Sequence, residues 1–211
     1  MNARFLKTTL GLAVAACFQA PNAGAVTLSG YSEGDASTVT LRISGSSAHD
    51  KGLLALMRLT AAGGAEICQA NTLHHYKVGS NDSIFVCTGG ANSAVSGNKL
   101  VVIKKSSGGS GTGVATLVKA GTVTLDDAST VNSVFLDPSN SNLQAGTGFS
   151  SSSKVAEGNL SAYTELSIGS SSGLTAASAT GADVGISDEE PTVFRRLYNP
   201  DLRTADLSAL T

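Results

Sequence analysis

The sequence predicts an α/β protein, and three observations carry that prediction. An apolar, strand-like run meets a turn of small residues and then a helix start at three places, around Gly45-Ser46-Ser47, Ser106 to Gly113 and Ser187-Asp188. The strand-like runs are short and rich in Val and Ile, as sheet residues are. Strands alternating with helices in this way build an open sheet, and such sheets bind ligands outside the carboxyl ends of their strands.

The elements follow in order. Ser37 to Gly45 (STVTLRISG) alternates Val39, Leu41 and Ile43 on one face and stops at glycine, which marks a strand. AHDKGLLALMRLTAA comes next, with Leu53, Leu54, Leu56, Met57 and Leu59 at helical spacing and Asp50 in the first turn. LHHYKV and SIFVC read as paired strands joined through Gly79 to Asp82, with Cys68 and Cys87 at their outer ends. KLVVIKK is another strand; its glycine-serine turn opens into the helical stretch GVATLVKA. From about Gly121 to Thr180 the chain is rich in Ser and Gly, and we read it as a loose insertion of turns and short strands outside the core. ADVGISDEEP then supplies a last strand at Val184 and Ile186 and a helix start with Glu189, Glu190 and Pro191 in its first turn.

The N-terminus predicts export. MNARFLK is basic, TTLGLAVAACF is apolar, and Ala23-Gly24-Ala25 forms an A-x-A cleavage pattern, which makes residues 1–25 a signal peptide. Val14 to Cys17 also resembles a lipobox, leaving a lipid anchor at Cys17 as the alternative. The exported protein is expected in the periplasm or outside the cell. In that oxidising setting the remaining pair, Cys68 and Cys87, is expected to form a disulfide. A metal site using His74 and His75 is the weaker reading, because adjacent strand residues point to opposite faces and the spacing fits no zinc pattern.

Composition excludes some partners. The 211 residues carry a formal charge of −2; loss of Arg4 and Lys7 with the leader lowers Lys+Arg from 14 to 12 against 16 acids, or −4. Nucleic-acid backbones and acidic membrane surfaces need a basic face, so neither is expected as a partner. Nothing after the leader is long and apolar enough to span a bilayer. A hydrolase finds no G-x-S-x-G elbow, and GGSGTG lacks the Lys-Ser/Thr of a Walker loop. No enzyme activity and no cofactor are expected.

ISGSSA at 43–48, GSGTGV at 109–114 and DVGISD at 183–188 together resemble, in order, the first-lobe ligand loops of periplasmic phosphate-binding proteins, which have the type 2 periplasmic solute-binding fold. The resemblance implies a phosphate-like oxyanion held by backbone amides at helix N-termini. By that likeness the ligand contacts are Ser46, Ser47 and Ala48 in the first loop and Ser110, Gly111 and Thr112 in the second. Asp188 in the third would accept from a protonated oxygen. His49 stands where the family has a small or hydroxylated residue. The likeness further implies an inner-membrane ABC permease as partner. The family's second lobe, with its arginine and D-G-S-G-T-type turn, has no counterpart here, so 26–211 is expected to be a first lobe, with a truncated gene as one explanation. The competing expectation is an exported surface, adhesive or structural protein that uses the same fold without transport. Asp188 before Glu189-Glu190-Pro191 also fits an ordinary helix cap, and Ser110 an ordinary turn serine.

Overall fold

A computed structural model describes residues 27–58, 66–79, 81–118, 122–124, 130–132, 134–145, 150–154, 163–168 and 181–188. The leader, Cys17 and the helix expected from Glu189 lie outside them. The elements are β1 (Thr38–Gly45), a 3-10 turn (Ser47–His49), α1 (Asp50–Arg58), β2 (Leu73–Val78), β3 (Asp82–Thr88), β4 (Lys99–Lys105), α2 (Gly109–Val118), β5 (Thr122–Thr124), β6 (Thr130–Asn132), α3 (Ser141–Ala145), β7 (Ser150–Lys154), β8 (Tyr163–Ile168) and β9 (Val184–Ile186). No helix among the described residues is long and apolar enough to cross a membrane.

Seven strands form one mixed sheet in the order β7-β8-β2-β3-β4-β1-β9, so the architecture is broadly α/β. β1 runs parallel to β4 and β9, and β2 runs parallel to β8. β3 is antiparallel to both β2 and β4, and β7 is antiparallel to β8. The carboxyl ends of β1, β2, β4, β8 and β9 therefore lie along one edge, where the predicted small-residue turns also sit. β5 and β6 form a separate antiparallel pair.

Strand alternation gives the sheet two apolar faces. Ile43, Leu73, Phe85, Cys87, Leu100, Val102 and Tyr163 pack on one side beneath Met57, with Leu53 and Leu54 of α1 against them. Tyr76, Val78, Ile84, Val86, Val101 and Ile103 face the other way and cluster with Leu28, Tyr31, Phe135 and Leu143. α2 lies on this second side, where Ser44 Oγ donates to the carbonyl of Thr112 at 3.3 Å and also bonds the Thr116 hydroxyl.

Of the 121–180 segment, expected outside the core, the described parts are drawn into it. They add β7 and β8 to the sheet and the buried side chains of Phe135, Leu143 and Tyr163. The serine-rich sequence hides this, because β8 gains its place by pairing with β2, a partner distant in sequence.

The predicted hairpin and its staple are both present. His75 faces Phe85 in the β2–β3 register, and Cys68 and Cys87 form a disulfide with Cα atoms 5.6 Å apart. Both cysteines are buried, and the bridge ties the chain leading into β2 to the end of β3.

Candidate functional site

The three predicted loops meet at the carboxyl edge, held there by backbone packing. A Cβ on Gly45 would lie 1.8 Å from the Ile186 carbonyl oxygen and 2.8 Å from Gly113 Cα. A Cβ on Gly113 would lie 2.3 Å from that same oxygen. Gly45 also has φ +117, which disfavours any side chain. These glycines bring the backbones of β1, α2 and β9 into contact. The demand for small residues here comes from packing between elements.

The predicted donors are largely engaged within the protein. Ser46 N–H donates to the Ile186 carbonyl at 3.0 Å, and Ala48 N–H donates to Ser46 Oγ at 3.2 Å. Ser110 Oγ donates to Asp188 Oδ1, linking α2 to the residue beyond β9. Thr112 is fully buried, with its hydroxyl donating to the Ser107 carbonyl at 3.3 Å, and Gly111 is buried beside it. Asp183 adds a clamp that sequence reading missed. Its carboxylate accepts from Arg42 N–H at 2.7 Å, and its own N–H donates to the Arg42 carbonyl at 2.9 Å.

A cavity of about 270 Å³ opens at this edge on the α1 side of the sheet. Ser47 is the one predicted ligand residue that lines it; Ser110, Gly111, Thr112 and Asp188 do not. The register explains its composition. Lys77 on β2 pairs with Ser83 on β3, and Ser83 pairs with Lys104 on β4, so the three side chains project on one face near the strand ends. His75 and Phe85 sit one step deeper and stack with centroids 4.4 Å apart and an interplanar angle of 11°. His75 Nε2 lies 3.0 Å from Ser83 Oγ. From α1 come Asp50, Lys51, Leu53 and Leu54, and Asn81 closes the rim.

Lys104 organises the floor. It is 1% exposed, and its ammonium donates to the Gly45 carbonyl at 2.8 Å and to Ser106 Oγ at 2.7 Å. Asp50 Oδ1 lies 3.3 Å from the same nitrogen and accepts from Ser106 Oγ at 2.7 Å. Burial pushes the Lys104 pKa below the usual lysine range, while Asp50 opposes the shift. Asp82, the nearby second acid, is committed to the next turn. Its carboxylate accepts from Ser106 N–H at 3.1 Å and from Ser107 N–H at 3.3 Å.

The lining carries three lysines and one carboxylate; Lys104 is paired with that carboxylate, which leaves Lys51 and Lys77 as the cations open to a guest. Such a pocket favours negative charge. Lys51 is exposed and Lys77 is half-buried, so both can swing toward a guest, whereas Lys104 is held in place. The signal was present in the sequence as polar residues at the ends of apolar strands, in HHYK and IKK. Its convergence depends on register. Among the described residues, no group of three or more His, Cys, Asp or Glu side chains is placed to hold a metal ion. Comparison with known proteins adds no relative: no protein-family model matches the chain, and neither a curated protein nor a solved structure matches it.

Proposed function

We propose that this chain is an exported binding protein for a small oxyanion, phosphate-like in its charge and acceptor geometry, which it takes at the carboxyl edge of its sheet. The single observation that carries the reading is the cavity lined by Lys51 and Lys77, whose one carboxylate, Asp50, is paired with the buried Lys104. On this reading the anion contacts shift from the α2 loop to the α1 side. Ser47 is retained from the sequence expectation, with Lys51, Lys77, Asn81 and Ser83 as further donors. Ser110 and Asp188 become a latch between α2 and β9. The finer expectations travel with this proposal: a first lobe of the type 2 solute-binding kind, delivery to an inner-membrane permease and a signal peptide ending at Ala25.

Titration calorimetry at low and high ionic strength, with phosphate and sulfate, tests the reading. Binding should weaken as salt rises, because the lysines at the rim are screened. Lys77→Gln and Lys51→Gln should each cost about 1 kcal/mol, or about fivefold in affinity, the worth of a partly exposed charge-assisted contact. Ser110→Ala should leave affinity unchanged. Loss of binding in Ser110→Ala with none in Lys77→Gln would move the site back to α2. Absence of any anion binding by the wild type would remove the reading.

A further inference from the structure

The cavity lining is chemically mixed on both of its sides. α1 contributes Lys51 together with the half-buried Leu53 and Leu54. The sheet contributes Lys77 and Lys104 together with the ring of Phe85. A bare tetrahedral oxyanion would use only the cationic groups and would leave the leucines wet. Size points the same way. The volume of about 270 Å³ holds about nine water-sized groups, whereas an inorganic oxyanion has five heavy atoms. The Phe85 ring is buried and stacks on His75, so close packing fixes its position.

We infer that the anion taken by this site carries an apolar body of about four to six carbon atoms, as in a short-chain or aromatic carboxylate or the corresponding phosphate monoester. The inference rests on the anion reading above and deepens it. The acidic group sits between Lys51 and Lys77, while the body lies against Leu53, Leu54 and the edge of Phe85. Burial of that body supplies affinity that charge at a solvent-open rim does not.

Calorimetry at one ionic strength with acetate, hexanoate, benzoate, benzamide, inorganic phosphate and phenyl phosphate tests it. Hexanoate and benzoate should bind at least about tenfold tighter than acetate, and phenyl phosphate should exceed phosphate by a similar factor. Whichever pair shows the larger gain tells carboxylate from phosphate ester. Leu54→Ser should narrow the hexanoate-to-acetate ratio. If that variant does not fold, the wild-type ratios still decide the matter. Equal affinity for the small and the extended anions overturns this inference and leaves the anion reading intact. Benzamide binding as tightly as benzoate, or no binding by any anion, overturns both.

Discussion

The ammonium of Lys104, near the end of β4, donates to the carbonyl of Gly45, at the end of the neighbouring β1, over 2.8 Å. This bond joins the floor of the cavity to the first loop at the point where the chain leaves the sheet for α1. The same nitrogen reaches Asp50 in the first turn of that helix. One buried cation therefore sets the relative position of a strand end, a turn and a helix N-terminus.

Removing that cation should be costly. Lys104→Met removes the ammonium from the Gly45 carbonyl and leaves the Asp50 carboxylate with the Ser106 hydroxyl but no countercharge, and we expect a loss of about 2–3 kcal/mol in urea unfolding. The figure is below that of a fully buried pair, because the Asp50 side chain is 33% exposed. Adding Asp50→Leu to Lys104→Met should recover part of the loss. Strictly additive effects would show that the pair is not coupled.

Two glycines, one on α1 and one on α2, should respond in opposite directions to the same substitution. Gly113→Ala places a methyl 2.3 Å from the Ile186 oxygen and must push α2 off the sheet. We expect a loss of about 2–3 kcal/mol, typical of an overpacked contact. Gly52→Ala on α1 meets nothing within 4 Å and should stabilise by about 0.5–1 kcal/mol through the backbone entropy of the unfolded chain. Thermal melts of the two single variants provide the comparison.

The Cys68–Cys87 disulfide closes a loop with a sequence separation of 19. Its loss in a Cys68→Ser/Cys87→Ser variant should cost about 3 kcal/mol by the chain-entropy relation. Alkylation of the folded, unreduced protein followed by mass spectrometry should find neither thiol modified. Labelling of both would refute the bridge.

Mild acid should weaken the fold through His74. This imidazole is buried, its Nδ1 has no hydrogen-bond partner, and burial lowers its pKa from 6.5. The unfolded chain therefore takes up a proton at a pH where the folded protein does not. Stability should be fully present above the unfolded value and should fall as pH drops below it toward the lowered folded value. The slope for one group is at most about 1.4 kcal/mol per pH unit. Denaturant titrations at pH 7 and pH 5, with His74→Gln as reference, measure it. An unchanged slope in the variant would assign the acid sensitivity to other groups.

How much was legible follows from the range over which each signal acts. The strand–turn–helix units at Gly45 and Gly109, the strand ending at Ile186, the β2–β3 hairpin and the cysteine pairing were readable because each is written in neighbouring residues. Period-two alternation, period-3.6 apolar spacing and turn glycines report local backbone geometry, and Cys68 and Cys87 are brought together by one hairpin. The cavity was only partly readable. Ser47 was found because a loop after a strand is a local feature. Lys51, Lys77 and Lys104 carry no such local mark, because their approach to one another depends on strand register and on the seating of α1.

The sequence by itself determined the α/β alternation, the hairpin with its disulfide and the small-residue loops at one edge of the sheet. Tertiary structure alone decided the strand order, the recruitment of β8 beside β2 and the face on which three lysines meet. It also decided what the glycines do, since Gly45 and Gly113 are adjacent only when α2 is seated across β1 and β9. The physical reason is common to all of these. Local conformational preferences act over a few residues, whereas side-chain convergence depends on register between strands far apart in the chain, and only the packed sheet specifies that register.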